Sequence, residues 1–165
     1  MLHLIPAPLH RLVLRHGYRV RRWWWRLRRP RLNGVAVIAR NPAGEVLLVR
    51  LSYGSGRWSL PAGGHSAGED PADAARREFT EELGCAPAQL RLLAVLEEPL
   101  HGATDRVHLF AAMLEGAVRP DGREVLEARW FAPGALPQGL ERRVAARLAL
   151  LEDQAASQPS DADSR

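Results

Sequence analysis

Short β-branched and leucine-rich runs alternate with stretches of helical periodicity along most of this chain. Residues 34–40 (GVAVIAR) and 45–51 (EVLLVRL) read as strands, and Asn41, Pro42, Ala43 and Gly44 between them predict a hairpin turn. Residues 52–69 form a Gly-rich loop with one short extended piece around 58–60. A helix follows over 71–83, where Ala72, Ala75, Phe79 and Leu83 recur at i, i+3, i+7 and i+11 as one apolar stripe. Asp70 suits its N-cap, Pro71 its first position and Gly84 the residue past its end, and Asp73 complements the helix dipole. Residues 89–97, 105–114 and 126–132 are three more strand-like runs. Leu140, Val144, Leu148 and Leu151 then predict a closing helix over 139–151. This order of elements suits an α+β or α/β domain.

Charge divides the chain. Residues 1–33 hold nine arginines and no acid, so the remainder nets about −5 against +4 for the whole chain. A basic arm over 1–32 thus precedes a mildly acidic body over 33–151, and a polar tail over 152–165 reads as disordered. Within the arm, Leu9, Val13, His16, Val20, Trp24 and Leu27 share one helical stripe; Arg11, Arg15, Arg19, Arg22, Arg26 and Arg29 make another. Gly17 in mid-helix opposes it by about 1 kcal/mol. With Trp23, Trp24 and Trp25 beside the arginines, three readings stay open. The helix packs on its own domain or a second subunit, lies on an anionic membrane surface, or contacts nucleic acid.

At 165 residues the chain suits one compact domain. Cys85 is its only cysteine, so no internal disulfide ties it to an oxidising compartment. No apolar run approaches the roughly 18 residues that span a bilayer, and arginines interrupt any signal-peptide core. The expected location is the cytoplasm, with the arm allowing peripheral attachment at the inner membrane surface. Oligomeric state is left open, a homodimer included.

The candidate chemistry lies in residues 61–85. Glu78, Glu81 and Glu82 fall at i, i+3 and i+4, which brings their carboxylates together beside the apolar stripe. Like charges so placed cost roughly 0.2–0.5 kcal/mol per pair, and a divalent cation reverses the sign. Hard oxygen ligands favour Mg²⁺ or Mn²⁺ over zinc. Alone, three glutamates better suit a solvated acidic face; the Gly-rich loop, the capped helix and Arg77 tip the reading toward a metal site. Arg77 also suits an i,i+4 ion pair with Glu81. Gly63 and Gly64 suit a tight turn, or a close backbone approach to a ligand with the Ala62 or Gly63 carbonyl turned to a metal.

Gly63, Glu69, Arg77, Glu78, Phe79, Glu81, Glu82, Gly84 and Cys85 together fit a longer pattern. This segment resembles the box of the Nudix hydrolases: Gly, five variable residues, Glu, seven more, Arg-Glu, an apolar residue, any residue, Glu-Glu, any residue, Gly and a last apolar residue. Seven fixed types at ordinary usage match by chance on the order of 10⁻⁸ at any one position, so the pattern is specific. The resemblance extends over about 33–150 and leaves the arm out.

It implies a Nudix α/β/α sandwich with a mixed sheet and a loop-helix-loop catalytic box. It implies cation-dependent hydrolysis of a phosphoanhydride in a nucleoside diphosphate linked to another moiety: a nucleotide sugar, an ADP-ribose-like compound or a nucleoside triphosphate. Glu78, Glu81 and Glu82 become catalytic and metal-holding residues, with Arg77 orienting a carboxylate. Glu78 is the first general-base candidate by resemblance, and Glu124 leads Glu98 and Glu127 among later acids. Gly63, Gly64, Glu124 and Trp58 are the candidate substrate contacts, although Trp58 and Trp130 suit the core better than a base stack. His65, His101 and His108 read as ordinary residues. Ser66 stands where many relatives carry Glu, and Pro99 falls one residue short of a proline associated with ADP-ribose or ADP-sugar cleavage. The alternatives are a non-catalytic nucleotide-binding module and an RNA 5′-end pyrophosphohydrolase that uses the arm.

Overall fold

The computed structural model describes residues 7–157. In chain order these are α1 (Ala7–Arg28), β1 (Arg31–Arg40), β2 (Val46–Leu51), β3 (Trp58–Ser59), β4 (Ala62–Gly64), α2 (Pro71–Leu83), β5 (Ala88–Leu100), β6 (Ala103–Met113), β7 (Val125–Phe131) and α3 (Arg142–Ser157). The sheet is mixed. β1 runs parallel to β6 from Arg31 opposite Thr104 to Arg40 opposite Met113, and antiparallel to β4. β2 pairs antiparallel with β3 and β7, and β5 with β6.

The alternation along β1 builds both layers. Val35, Val37 and Ala39 pack with Ala75, Phe79 and Leu83 of α2. Ala36 and Ile38, pointing the other way, pack with Val144, Leu148 and Leu151 of α3. A strand buried on both faces needs apolar residues at every position, which is why it reads as an unbroken hydrophobic run. Burying each large side chain contributes roughly 1.5–3 kcal/mol. The result is the α/β/α sandwich.

Local chemistry sets the ends of α2. The Asp70 carboxylate accepts from the N–H groups of Ala72 at 2.7 Å and Asp73 at 3.3 Å. Gly84 closes the helix at a left-handed φ of 66°, its N–H donating to the Thr80 carbonyl. The hairpin at 41–44 forms with Gly44 at φ 78° and its N–H on the Asn41 carbonyl.

Several expectations need correction. The arm–body boundary at 32/33 falls inside β1, which begins at Arg31. α3 starts at Arg142 and runs to Ser157, so the first six residues of the expected disordered tail are helical. Ala, Gln and Glu propagate an already nucleated helix readily. The rest of the tail, 158–165, lies outside the described residues. β4 has no hydrophobic pattern of its own; pairing with β1 makes Ala62–Gly64 a strand.

The arm helix forms, and of the readings left open for its apolar stripe, packing on the body is not what the described residues show. Val13, His16, Val20, Trp24 and Leu27 are exposed. Leu9 and the Arg11, Arg15, Arg19 and Arg22 side chains lie outside the described residues. The helix docks instead through Tyr18 and Trp25, with Leu14 half-buried. The Tyr18 hydroxyl shares a 2.8 Å hydrogen bond with His101 Nε2, and its ring meets Tyr53 at 5.1 Å. Arg26 crosses so close to Gly102 that a Cβ there would sit 3.1 Å from its Cα. Arg29, at a left-handed φ of 45°, and Pro30 then end the helix.

Candidate active site

Arg77 is the centre of the loop-helix arrangement. Its Nε and Nη2 donate to the two Glu69 oxygens at 2.9 and 3.3 Å, and its Nη1 donates to Glu78 Oε1 at 2.8 Å. Nη2 also reaches the Gly64 carbonyl at 3.2 Å. Glu69 is held in turn by the Ser66 N–H at 2.9 Å. One guanidinium thus ties the loop to α2, and its own proton is held more tightly by both carboxylates. The Glu81 carboxylate is 3.8 Å from it, so the i,i+4 pair is its weakest partner. Hydrogen bonds from Arg77 and Ser66 push the Glu69 pKa down.

Gly63 is required for space, not for its backbone angles. A Cβ there would overlap Glu78 Cδ and lie 2.6 Å from Oε2. At Gly64 the nearest atom to a Cβ would be the Asn33 carbonyl oxygen, 3.9 Å away. Gly63→Ala is therefore expected to displace the Glu78 carboxylate and cut turnover by at least about tenfold, equivalent to roughly 1.4 kcal/mol. Gly64→Ala is expected to stay within about threefold, or roughly 0.7 kcal/mol. Side-by-side kinetics of the two variants check this, and equal losses would contradict it.

Glu82 faces the same region from deeper in the fold. It is 5% exposed, and among the described residues its carboxylate has no hydrogen bond or ion pair. Burial and the nearby Glu124, Glu78, Asp121 and Glu81 push its pKa up to about 9. Burial likewise raises Glu78, against the opposing pull of Arg77. Glu124 arrives from the turn before β7. Its N–H and that of Val125 donate to the Asp121 carboxylate at 3.1 and 2.9 Å, the Asp121 N–H caps the Glu82 carbonyl at 2.9 Å, and the Tyr53 hydroxyl donates to Glu124 Oε1.

The donor set fits a hard divalent cation: carboxylates crowd one cavity with no cationic side chain on Glu82. The three helix glutamates are less convergent than their spacing suggested. Glu81 projects to solvent and Glu78 lies on Arg77, and no group of three potential ligands is preassembled among the described residues.

A family profile described as NUDIX domain matches residues 30–152. The chain belongs to the Nudix hydrolase family. It is 41% identical over 64 residues to an RNA pyrophosphohydrolase of Psychrobacter cryohalolentis, covering 39% of this chain and 36% of that protein. An uncharacterised Nudix hydrolase of Pseudomonas aeruginosa is 36% identical over 108 residues, covering 61% of this chain and 63% of its own. The chain thus spans little more than a third of the first of these relatives. A MutT Nudix hydrolase from Burkholderia pseudomallei superposes with a TM-score of 0.65 at 26% identity, covering 73% of this chain and 98% of that one.

Within this Nudix fold the cleft extends well past the box. A cavity of about 720 Å³ joins Glu78, Glu82 and Glu124 to Tyr18, Asp105 and Arg143. Of the acids weighed from sequence, Glu124 joins the cluster and the other two do not. Glu98 is held by Arg147 at 2.7 Å and Arg143 at 3.1 Å. Glu127 pairs with Arg50 and Arg129 and does not line the cavity. Trp58, weighed as a substrate contact, does not line the cavity. It is buried in the core, edge-on to Phe131 at 5.1 Å, because its flat apolar area fills the space beneath α3. Trp130 is half-buried against the opposite core.

Ala62, Gly63 and Gly64 all border the cavity, with the Gly64 carbonyl taken by Arg77. His65 and His108 lie ring to ring at 5.4 Å, and burial lowers the His108 pKa. Sequence reasoning missed Tyr18, Tyr53, Asp105, Asp121, Arg143 and Arg147. Apart from Asp121, whose carboxylate accepts from the nearby Glu124 and Val125 N–H groups, they meet the site across long sequence separations that only the folded sheet closes.

Proposed function

We propose that the protein hydrolyses a phosphoanhydride bond in a nucleoside diphosphate derivative, with Mg²⁺ or Mn²⁺ as cofactor. The observation that carries this is Glu82, a buried carboxylate among other acids on a cavity large enough for a nucleotide. Glu82, Glu78 and Glu81, with the Ala62 or Gly63 carbonyl, are the groups that would hold the cation. When bound, such a cation neutralises the diphosphate and makes its phosphorus more electrophilic.

The chain's own residues supply orientation and proton transfer. Arg77 fixes the Glu78 carboxylate, which occupies the space that a Cβ at position 63 would take. Glu124, positioned by Tyr53, accepts the proton of the attacking water as its oxygen bonds to phosphorus and the phosphoanhydride bond breaks. Glu78 Oε1 is ion-paired with Arg77, whereas the side-chain hydrogen bond to Glu124 comes from a neutral hydroxyl, which favours Glu124 over Glu78 in this role. At the far end of the cleft, Asp105 and Arg143 would contact the rest of the substrate. The proposed location is the cytoplasm, where nucleotide substrates are available.

A nucleotide-binding module without activity has no use for a cluster of acids that raises the proton affinity of Glu82. An RNA 5′ end is the second substrate reading, favoured by the relatives named RNA pyrophosphohydrolase. The test is a panel of nucleotide sugars, ADP-ribose, nucleoside triphosphates, dinucleoside polyphosphates and 5′-triphosphorylated RNA, each with Mg²⁺ or Mn²⁺. Cleavage of one class between phosphates is expected. Tight binding of a nucleotide with no cleavage across the panel would overturn the assignment.

A further inference from the structure

The two sides of α1 are built for different neighbours. Tyr18 and Trp25 turn inward, onto His101, Tyr53 and the cavity wall. Val13, Val20, Trp23, Trp24 and Leu27 turn outward, with 57, 67, 66, 46 and 65% of their surfaces exposed. At about 100° per residue the outward group covers roughly 100° of the helix and lies about 150° from the docked face. Large apolar side chains in contiguous exposure are uncommon on a protein that meets only water.

We propose that this outward face of α1 docks the protein on an anionic lipid bilayer, with the helix lying along the surface. Charge selects the partner. The first 33 residues carry nine arginines and no acid, whereas the rest of the chain is net negative. An anionic surface therefore attracts the arm and repels the body. The described arginines Arg26 and Arg28 lie on either side of the apolar stripe, the arrangement of an interfacial helix whose apolar centre enters the headgroup boundary. Tryptophan suits that boundary because its ring is apolar and its N–H is polar. A second copy of this chain would bring two strongly basic arms face to face. A nucleic acid would meet an apolar stripe at the centre of the contact, where phosphates need charge. No described helix is long and apolar enough to cross a membrane, in keeping with a surface role. Because Tyr18 and Trp25 wall the cavity, docking would hold the cleft beside the bilayer.

Co-sedimentation of the full chain with phosphatidylcholine vesicles, with and without phosphatidylglycerol, tests the proposal. Val20→Glu with Trp24→Glu is the companion variant; both side chains are exposed, so its melting temperature should match wild type. Wild type is expected to pellet with the anionic vesicles, to shift its tryptophan emission to the blue, and to release at high salt. The double variant should bind at least tenfold more weakly. Equal binding by variant and wild type would overturn the proposal, as would no binding to anionic vesicles. Loss in the variant of a wild-type dimer or RNA complex, with vesicle binding unchanged, would overturn it in favour of that partner.

Discussion

Glu82→Gln is expected to lower turnover by at least about 10²-fold, or roughly 2.7 kcal/mol of transition-state stabilisation, while stabilising the metal-free protein at pH 8. The first effect follows from losing a proposed cation ligand at the buried end of the cluster. The second follows from proton linkage. The folded chain holds the Glu82 proton up to about pH 9, while the unfolded chain releases it near the ordinary carboxylate value. Between those values the folded state binds more protons. This contribution to stability is fully present below the unfolded pKa and is lost as pH rises toward 9. Glutamine does not titrate, so folding of the variant takes up no proton at this position. The metal-free wild type should therefore melt at a falling temperature from pH 5 to 9, and the variant should show a shallower fall. Added Mg²⁺ should raise the wild-type melting temperature at pH 8, by binding the native state alone, and should affect the variant little. Parallel melting curves for both proteins across this range would contradict the account.

Arg77→Ala is expected to cost about 10²-fold in turnover, the scale on which small misplacements of reacting groups are felt. The loss would come through Glu78 and Glu69, both of which the guanidinium holds. Arg77→Lys should recover little, because an ammonium cannot span the two Glu69 oxygens while also reaching Glu78. A small change in KM beside the large fall in kcat would mark a positioning role. A lysine variant with wild-type turnover would show that charge alone suffices.

The box was legible because its chemistry is local. Gly63, Glu69, Arg77 and the three glutamates lie within β4, the loop after it and α2, where spacing fixes relative position. The two ends of α2 were legible for the same reason. The rest of the cleft depends on pairing between distant strands. Asp105 enters through β6, Tyr53 through the loop after β2, and Arg143 through α3. No short-range pattern records those meetings. Helical periodicity also showed that α1 has two faces, but not which one docks. Tyr18 found a hydrogen-bond partner in His101 and Trp25 a pocket large enough for its ring, so shape and polar satisfaction outweighed the longer apolar stripe. Periodicity equally overstated the convergence of Glu78, Glu81 and Glu82, because it could not show that Arg77 and burial treat each one differently.

The dependence of cleavage on divalent cation tests the central claim most directly. After exhaustive chelation, the rate of phosphoanhydride cleavage by the full chain on its best panel substrate is measured as Mg²⁺ is added back. The account predicts no measurable rate before addition and full recovery on titration. A rate that survives chelation undiminished would contradict it.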